Sequence, residues 1–182
     1  MTEQRHANSV SRRLQDLLAY PREDLDKELK GWLNLAEEDD KANLAQAILA
    51  LANHGGGYVL IGFTKSDGNW VPDKNRPSNL NGYSQDLING VVERYADPPF
   101  HCEVHHVDHP QSGDIFPIII VPGNHKVPVR AKRDGPNQKH VRINSYYIRR
   151  PGPKSETLQS AEEWDTPVSY THLRAHETVL DL

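Results

Sequence analysis

The stretch LANHGGGYVLIGF, Leu51–Phe63, places three consecutive glycines between two apolar runs. It reads either as a loop that cradles a phosphate or as a turn between two elements. Phosphate loops of the Rossmann and Walker kinds run strand, glycines, helix, so that the amide N–H groups of a helix N-terminus face the anion. Here the order is helix, glycines, strand. The glycines follow a helix C-terminus, where carbonyls and the negative end of the dipole point outward and repel phosphate. The reading is therefore a turn. Gly55 is expected to supply a left-handed cap, and Gly56 and Gly57 a tight connection into the buried strand GYVLIGF.

Outward from that turn, DDKANLAQAILALANH is the strongest helix. Leu44, Ile48 and Leu51 form one stripe with Ala45 and Ala52 beside it, and Asp39 or Asp40 is expected to cap its start. DKELKGWLNL before it reads as a strand. Leu14, Leu17 and Leu18 predict a short helix over 11–20 that Pro21 ends, and residues 1–10 are expected to be disordered. After Phe63 comes a turn at Asp67-Gly68, then a Pro/Asn-rich loop. The helix YSQDLINGVVERYA, with Leu87, Ile88, Val91, Val92 and Tyr95, stops at Pro98-Pro99. HCEVHHVDH and IFPIIIVP read as two strands, and residues 127–150 as a long hairpin around RDGPNQ. Ser160–Glu163 reads as a capping box for a last short helix over 156–166. Helix-separated strands followed by hairpins predict an α+β domain with helices packed on a mixed sheet, spanning about residues 21–155 after an N-terminal helix or extension over 1–20. Residues 167–182 share no apolar face with what precedes them and resemble translated read-through. On that reading the chain is truncated before a C-terminal region.

The chain has 182 residues, a formal net charge of −4 and one cysteine, Cys102. A single cysteine excludes an internal disulfide framework and points to the reducing cytoplasm. No apolar run is long enough to cross a membrane, and the polar N-terminus is no signal peptide. The charge is split along the chain. Between Glu23 and Asp40 lie eight acids (Glu23, Asp24, Asp26, Glu28, Glu37, Glu38, Asp39 and Asp40) and two lysines. Between Lys126 and Lys154 lie nine Lys/Arg residues and one acid, Asp134. The basic half points to an anionic partner.

These pieces occur together in one order: ELK at Glu28–Lys30, the helix ending ALANHGGGYVLIGF, Asp67-Gly68, DPPF at Asp97–Phe100, IIIVPGNHKVPV, and YYIRRPGPKS at Tyr146–Ser155. In that order they resemble the Schlafen/AlbA-type DNA-binding domain. The resemblance covers about residues 20–155, and its most specific part is the Ala-Asn-Gly segment leading to Ile61-Gly62. It implies a DNA- or RNA-binding module of a bacterial regulator or effector, set in front of a helicase-like, ATPase-like or winged-helix region. In animal relatives the module cuts RNA with Mg²⁺ or Mn²⁺ held by three acids. Carried over, these are Glu23, Glu28 five residues later, and an acid just after the Ile-Gly strand. That third position holds Lys65, and the nearest carboxylate is Asp67.

Hard cations take carboxylate oxygens, so Glu23, Glu28 and Asp67 are the candidate catalytic and metal-binding set for a metal-dependent endoribonuclease. Along a strand, a spacing of five puts two side chains on opposite faces. Glu23 and Glu28 converge only if Glu23 lies in the turn before the strand. For binding without cleavage, the candidates are Lys30, Arg130, Lys132, Arg133, Lys139, Arg142, Arg149 and Arg150, with Tyr147 available to stack on unpaired bases. This reading requires those cations to share one continuous face. If instead the basic hairpin only keeps an edge strand soluble, the domain serves protein interaction or homodimerisation. Histidines 101, 105 and 109 lie four residues apart, about 13 Å per step on a strand, too far for one zinc ion. Trp32 and Trp70 read as core or rim aromatics, and Asn53 as a brace of the glycine turn.

Overall fold

The computed structural model describes residues 2–152 and 154–158, with the side chains described from Val10 onward. The last predicted helix, beyond its first residues, and the whole of the 167–182 tail lie outside the described residues. The fold is α+β. Helix α1 (Thr2–Ala19) begins at Thr2, so the disorder expected over residues 1–10 is corrected for residues 2–10. Strand β1 (Lys27–Lys30) is followed by α2 (Glu38–Asn53) and then β2 (Gly56–Ile61), which runs parallel to β1. A helix is what a parallel pair needs as its crossover. Strands β6 (Glu103–Asp108) and β7 (Ile115–Pro122) complete a four-stranded mixed sheet of order β1-β2-β7-β6.

Helix α2 is buried almost all round. From Leu44 to Asn53 only Gln46 escapes full burial, so the apolar stripe expected from sequence widens into the centre of the core. Its start is capped differently from the expectation. Glu37 is the N-cap and gives no side-chain bond. Asp39 and Asp40 lie inside the first turn, where Asp40 accepts from the Asn34 N–H at 2.7 Å. At the other end Gly55 takes φ 102°, as the turn reading requires. Gly57 passes so close to the carbonyl of Asp26 that a Cβ has no room, which explains why the run continues beyond the cap.

The remaining strands are short. β3 (Phe63–Ser66) and β4 (Asn69–Pro72) form a hairpin whose turn is Asp67-Gly68, both at positive φ. Helix α3 (Gln85–Tyr95) buries Ile88, Val91, Val92 and Tyr95, one i, i+3, i+4, i+7 stripe, and leaves Leu87 outside it, 48% exposed. β5 (Ala96–Asp97) pairs with β8 (Arg130–Ala131). β9 (Tyr147–Arg150) pairs with β10 (Lys154–Thr157), so the first residues of the predicted last helix are strand.

The long hairpin over 127–150 is not formed. Its two expected arms meet only at the isolated bridge Arg130–Tyr146. Between them Asn137, Gln138, His140 and Asn144 all take positive φ, which no regular ladder tolerates. This segment is instead held from outside. Asn53 of α2 donates to the carbonyls of Val129 (2.8 Å) and Tyr147 (2.9 Å) and accepts from the Val129 N–H at 2.7 Å. Asn53 thus braces two remote segments rather than the glycine turn. Among the described residues no helix is long and apolar enough to cross a membrane.

Candidate nucleic-acid interface

The two candidate acids do meet. Glu23 lies just before β1, and its carboxyl is held above its ordinary value of 4.5, first by burial and then by the nearby Glu28 charge. Each acid, however, already faces cations. Glu28 Oε1 accepts from Lys30 Nζ at 2.9 Å, and its Oε2 accepts from Arg149 Nη1. Lys65 Nζ stands 3.6 Å from Glu23 Oε2. Asp67 is exposed in the tight turn, with φ 50°. Among the described residues no three His, Cys, Asp or Glu side chains gather to hold a metal ion. Two carboxylates matched by three cations leave no surplus negative charge, so these residues do not fit Mg²⁺ or Mn²⁺. The structure thus brings Glu23 and Glu28 together and leaves Asp67 in its exposed turn, with no gathering of the three among the described residues.

The Glu23 environment has a pH signature. An acid whose folded pKa is raised stabilises the fold fully below its unfolded pKa and loses that contribution as pH rises through the folded value. Glu23→Gln is therefore expected to gain stability relative to the parent between about pH 4 and pH 7. Urea melts at the two pH values check this. A relative loss over the same window means the Lys65 contact outweighs burial.

The expected basic face is only partly present. Arg149 is buried. Besides Glu28 it donates to the carbonyls of Asp24 and Lys27, both at 2.8 Å, and to Ser155 Oγ at 3.0 Å. Tyr147 is buried too, and its hydroxyl accepts from the Arg142 N–H at 2.8 Å, so it offers no ring for stacking. Lys30 is taken by Glu28. Arg130 grips Asp97 through two nitrogens (2.8 and 2.7 Å), Lys139 pairs with Asp39 at 2.7 Å, and Arg150 lies 3.3 Å from Glu156. The single continuous cationic ribbon is thus corrected, because Glu28, Asp39, Asp97 and Glu156 neutralise four of its cations.

Lys132, Arg133 and Arg142 are exposed and carry no ion pair with an acid among the described residues. The Lys132 N–H donates to the Tyr95 carbonyl (2.7 Å), and this bond docks the end of β8 onto the last turn of α3. Lys132 Nζ reaches the Glu93 carbonyl at 3.4 Å, and the Arg133 guanidinium lies 5.9 Å from the Tyr95 ring centroid. Arg94, from that last helical turn, joins them around an open surface hollow that also includes Gly90 and Glu93. Arg94 is shared with Glu38 at 2.5 Å. Sequence reasoning missed it. The signal was present, since a cation in the last turn before Pro98-Pro99 suits the helix dipole and faces whatever follows the helix.

Comparisons with known proteins add three findings. No curated protein matches the chain. A solution NMR structure of the N-terminal domain of a RecG-related protein from Nitrosomonas europaea is similar at 20% identity and a TM-score of 0.44, covering 73% of this chain and 86% of that one. A family model described as Schlafen, AlbA_2 matches residues 23–158, from the first candidate acid to the end of the β9–β10 hairpin. That match takes in far more than half of the 182 residues, and the chain belongs to the Schlafen AlbA_2 family.

Proposed function

We propose that this domain binds nucleic acid through phosphate contacts, using the surface where α3 ends against β8, and positions it for a further region of the protein. The observation that carries this reading is the cluster of Arg94, Lys132 and Arg133 around one open hollow, with Lys132 and Arg133 not committed to carboxylates. The family points the same way, because the resemblance implies a nucleic-acid-binding module. Cleavage is not part of the proposal: the acids that would hold a metal are spent on Lys30, Lys65 and Arg149.

Two or three phosphate contacts give a shallow but measurable salt dependence. On a single strand the expected slope of log Kobs against log salt is about −2, on the order of tenfold between about 50 and 200 mM. Fluorescence anisotropy with labelled DNA and RNA measures it. The double variant Lys132→Ala/Arg133→Ala should lower affinity across sequences and flatten the slope by about 1–2. Absence of salt-dependent binding to either nucleic acid rejects the proposal in favour of a protein-interaction or dimerisation module.

A further inference from the structure

A second hollow lies at the opposite end of α3. It encloses about 410 Å³, within the range of roughly 300–1,000 Å³ usual for small-molecule sites. Its walls are apolar and aromatic, with Trp32, Leu33, Tyr83 and Leu87 among them, and its rim carries the amides of Asn34 and Asn79. The aromatic residues keep their polar atoms for the protein. Trp32 Nε1 donates to the Asp73 carbonyl at 3.1 Å, and the Tyr83 hydroxyl donates to the Leu33 carbonyl at 2.6 Å. The rim amides do not. Asn34 Oδ1 accepts from Ala36 N–H and Asn79 Oδ1 from Asn81 N–H, while both Nδ2 groups have no protein partner among the described residues. An apolar slot whose lining includes two amides with unspent donors suits a flat heterocycle that has acceptors at its edge.

Two observations tie this slot to a charged polymer. Leu87 sits at its wall although the core stripe of α3 does not use it. Leu87 and Arg94 are seven residues apart, hence on one face of the helix and about 10 Å apart along its axis. That face therefore runs from the slot to the Arg94, Lys132 and Arg133 hollow. Arg76, beside the slot residues Asn75 and Pro77, holds its guanidinium 5.3 Å from the Trp32 ring centroid. Arg76 thus stands beside the slot and the Arg94 hollow lies farther along the helix, while the Asp40 and Asp73 carboxylates border the slot at Asn34 and Asn75. The two cationic positions are where the phosphates flanking a bound base would lie.

We propose that the slot formed by Trp32, Tyr83, Leu87 and the Asn34 and Asn79 amides receives one unpaired nucleobase. The domain therefore takes single-stranded rather than duplex nucleic acid. This inference rests on the nucleic-acid reading above and adds the class of substrate.

The test uses the full chain and three labelled probes of equal length: a single strand, the same strand with abasic sites, and a duplex. The single strand should bind about tenfold or more tighter than the abasic strand, in line with the usual effect of one base contact. Leu87→Gln should erase that difference while leaving abasic affinity unchanged. Gly82→Leu is a second variant at the slot wall, where an added Cβ meets no atom within 4 Å; with its melting temperature matched to the parent, it should act the same way. Equal affinity for base-bearing and abasic strands, or equal losses on both in these variants, overturns the slot while leaving phosphate binding intact. If no strand binds in a salt-dependent way, the nucleic-acid reading fails, and an NMR titration with the uncharged nucleosides adenosine and uridine decides on the slot alone. A shift of the Trp32 indole N–H keeps it as a heterocycle site, and an unmoved resonance removes it.

Discussion

Replacing Arg149 by methionine is expected to destabilise the fold by about 3–5 kcal/mol, the usual cost of stripping one partner from a buried ion pair. For a domain of this size that is a drop in melting temperature of roughly 6–20 °C. The arginine closes the β9–β10 hairpin against the edge strand β1 by reaching Glu28, two backbone carbonyls and Ser155 at once. Its loss strands Glu28, which is 7% exposed and keeps only Lys30. The double variant Glu28→Gln/Arg149→Met removes the stranded charge and should recover part of the loss, which separates the ion pair from simple packing. Arg149→Lys should fall between, since an ammonium cannot span the same fork of acceptors. Thermal and urea unfolding of the four proteins checks this. A loss below about 1 kcal/mol for the single variant means the pair does not hold the hairpin.

The same contacts warn against one common experiment. Arg149 belongs to the sequence set expected to touch nucleic acid, and its alanine variant would lose binding. In the structure that loss reports unfolding of the β9–β10 hairpin, because the side chain is buried. Lys132 and Arg133 are the informative positions, being exposed and outside the core.

What was legible in the sequence was local. The glycine turn followed from element order alone, and Gly55 takes the expected left-handed backbone. The Asp67-Gly68 turn and the apolar stripe of α2 were equally short-range. Beyond the cap of α2 and the ends of the chain, the misread parts are long-range. Alternation over residues 127–150 suggested a hairpin, yet β8 pairs with β5, more than thirty residues earlier. The charge split was read as a demand for an external polyanion. A chain with acids early and bases late has a second solution, which is to fold one half onto the other. Glu28 with Arg149 and Asp39 with Lys139 show that part of the split is resolved internally. Nothing in the local pattern distinguishes these outcomes, since each pair is set by where the fold places residues far apart in the chain. Arg94, Lys132 and Arg133 come together for the same reason, through one backbone bond from Lys132 to Tyr95.

Asn53→Ala is expected to cost about 2–4 kcal/mol, because it removes three buried hydrogen bonds and leaves an N–H and two carbonyls without their partner. Asn53→Asp should be worse at neutral pH despite its nearly identical shape. The Nδ2 that donates to the Val129 and Tyr147 carbonyls becomes an oxygen, and a buried carboxylate then faces two carbonyl oxygens. Protonation restores one donor, so the gap between the aspartate and alanine variants should narrow as pH falls. Denaturant melts at two pH values test both claims. An aspartate variant more stable than the alanine variant at neutral pH defeats the account, because it would mean that the donors of Asn53 do not matter. The brace also has a functional consequence. Val129 immediately precedes β8, and β8 delivers Lys132 and Arg133 to the end of α3. Loosening Asn53 should therefore weaken nucleic-acid affinity without removing a single contact to it. The distinguishing mark is that the salt slope stays near that of the parent while the affinity falls, whereas loss of Lys132 or Arg133 lowers both.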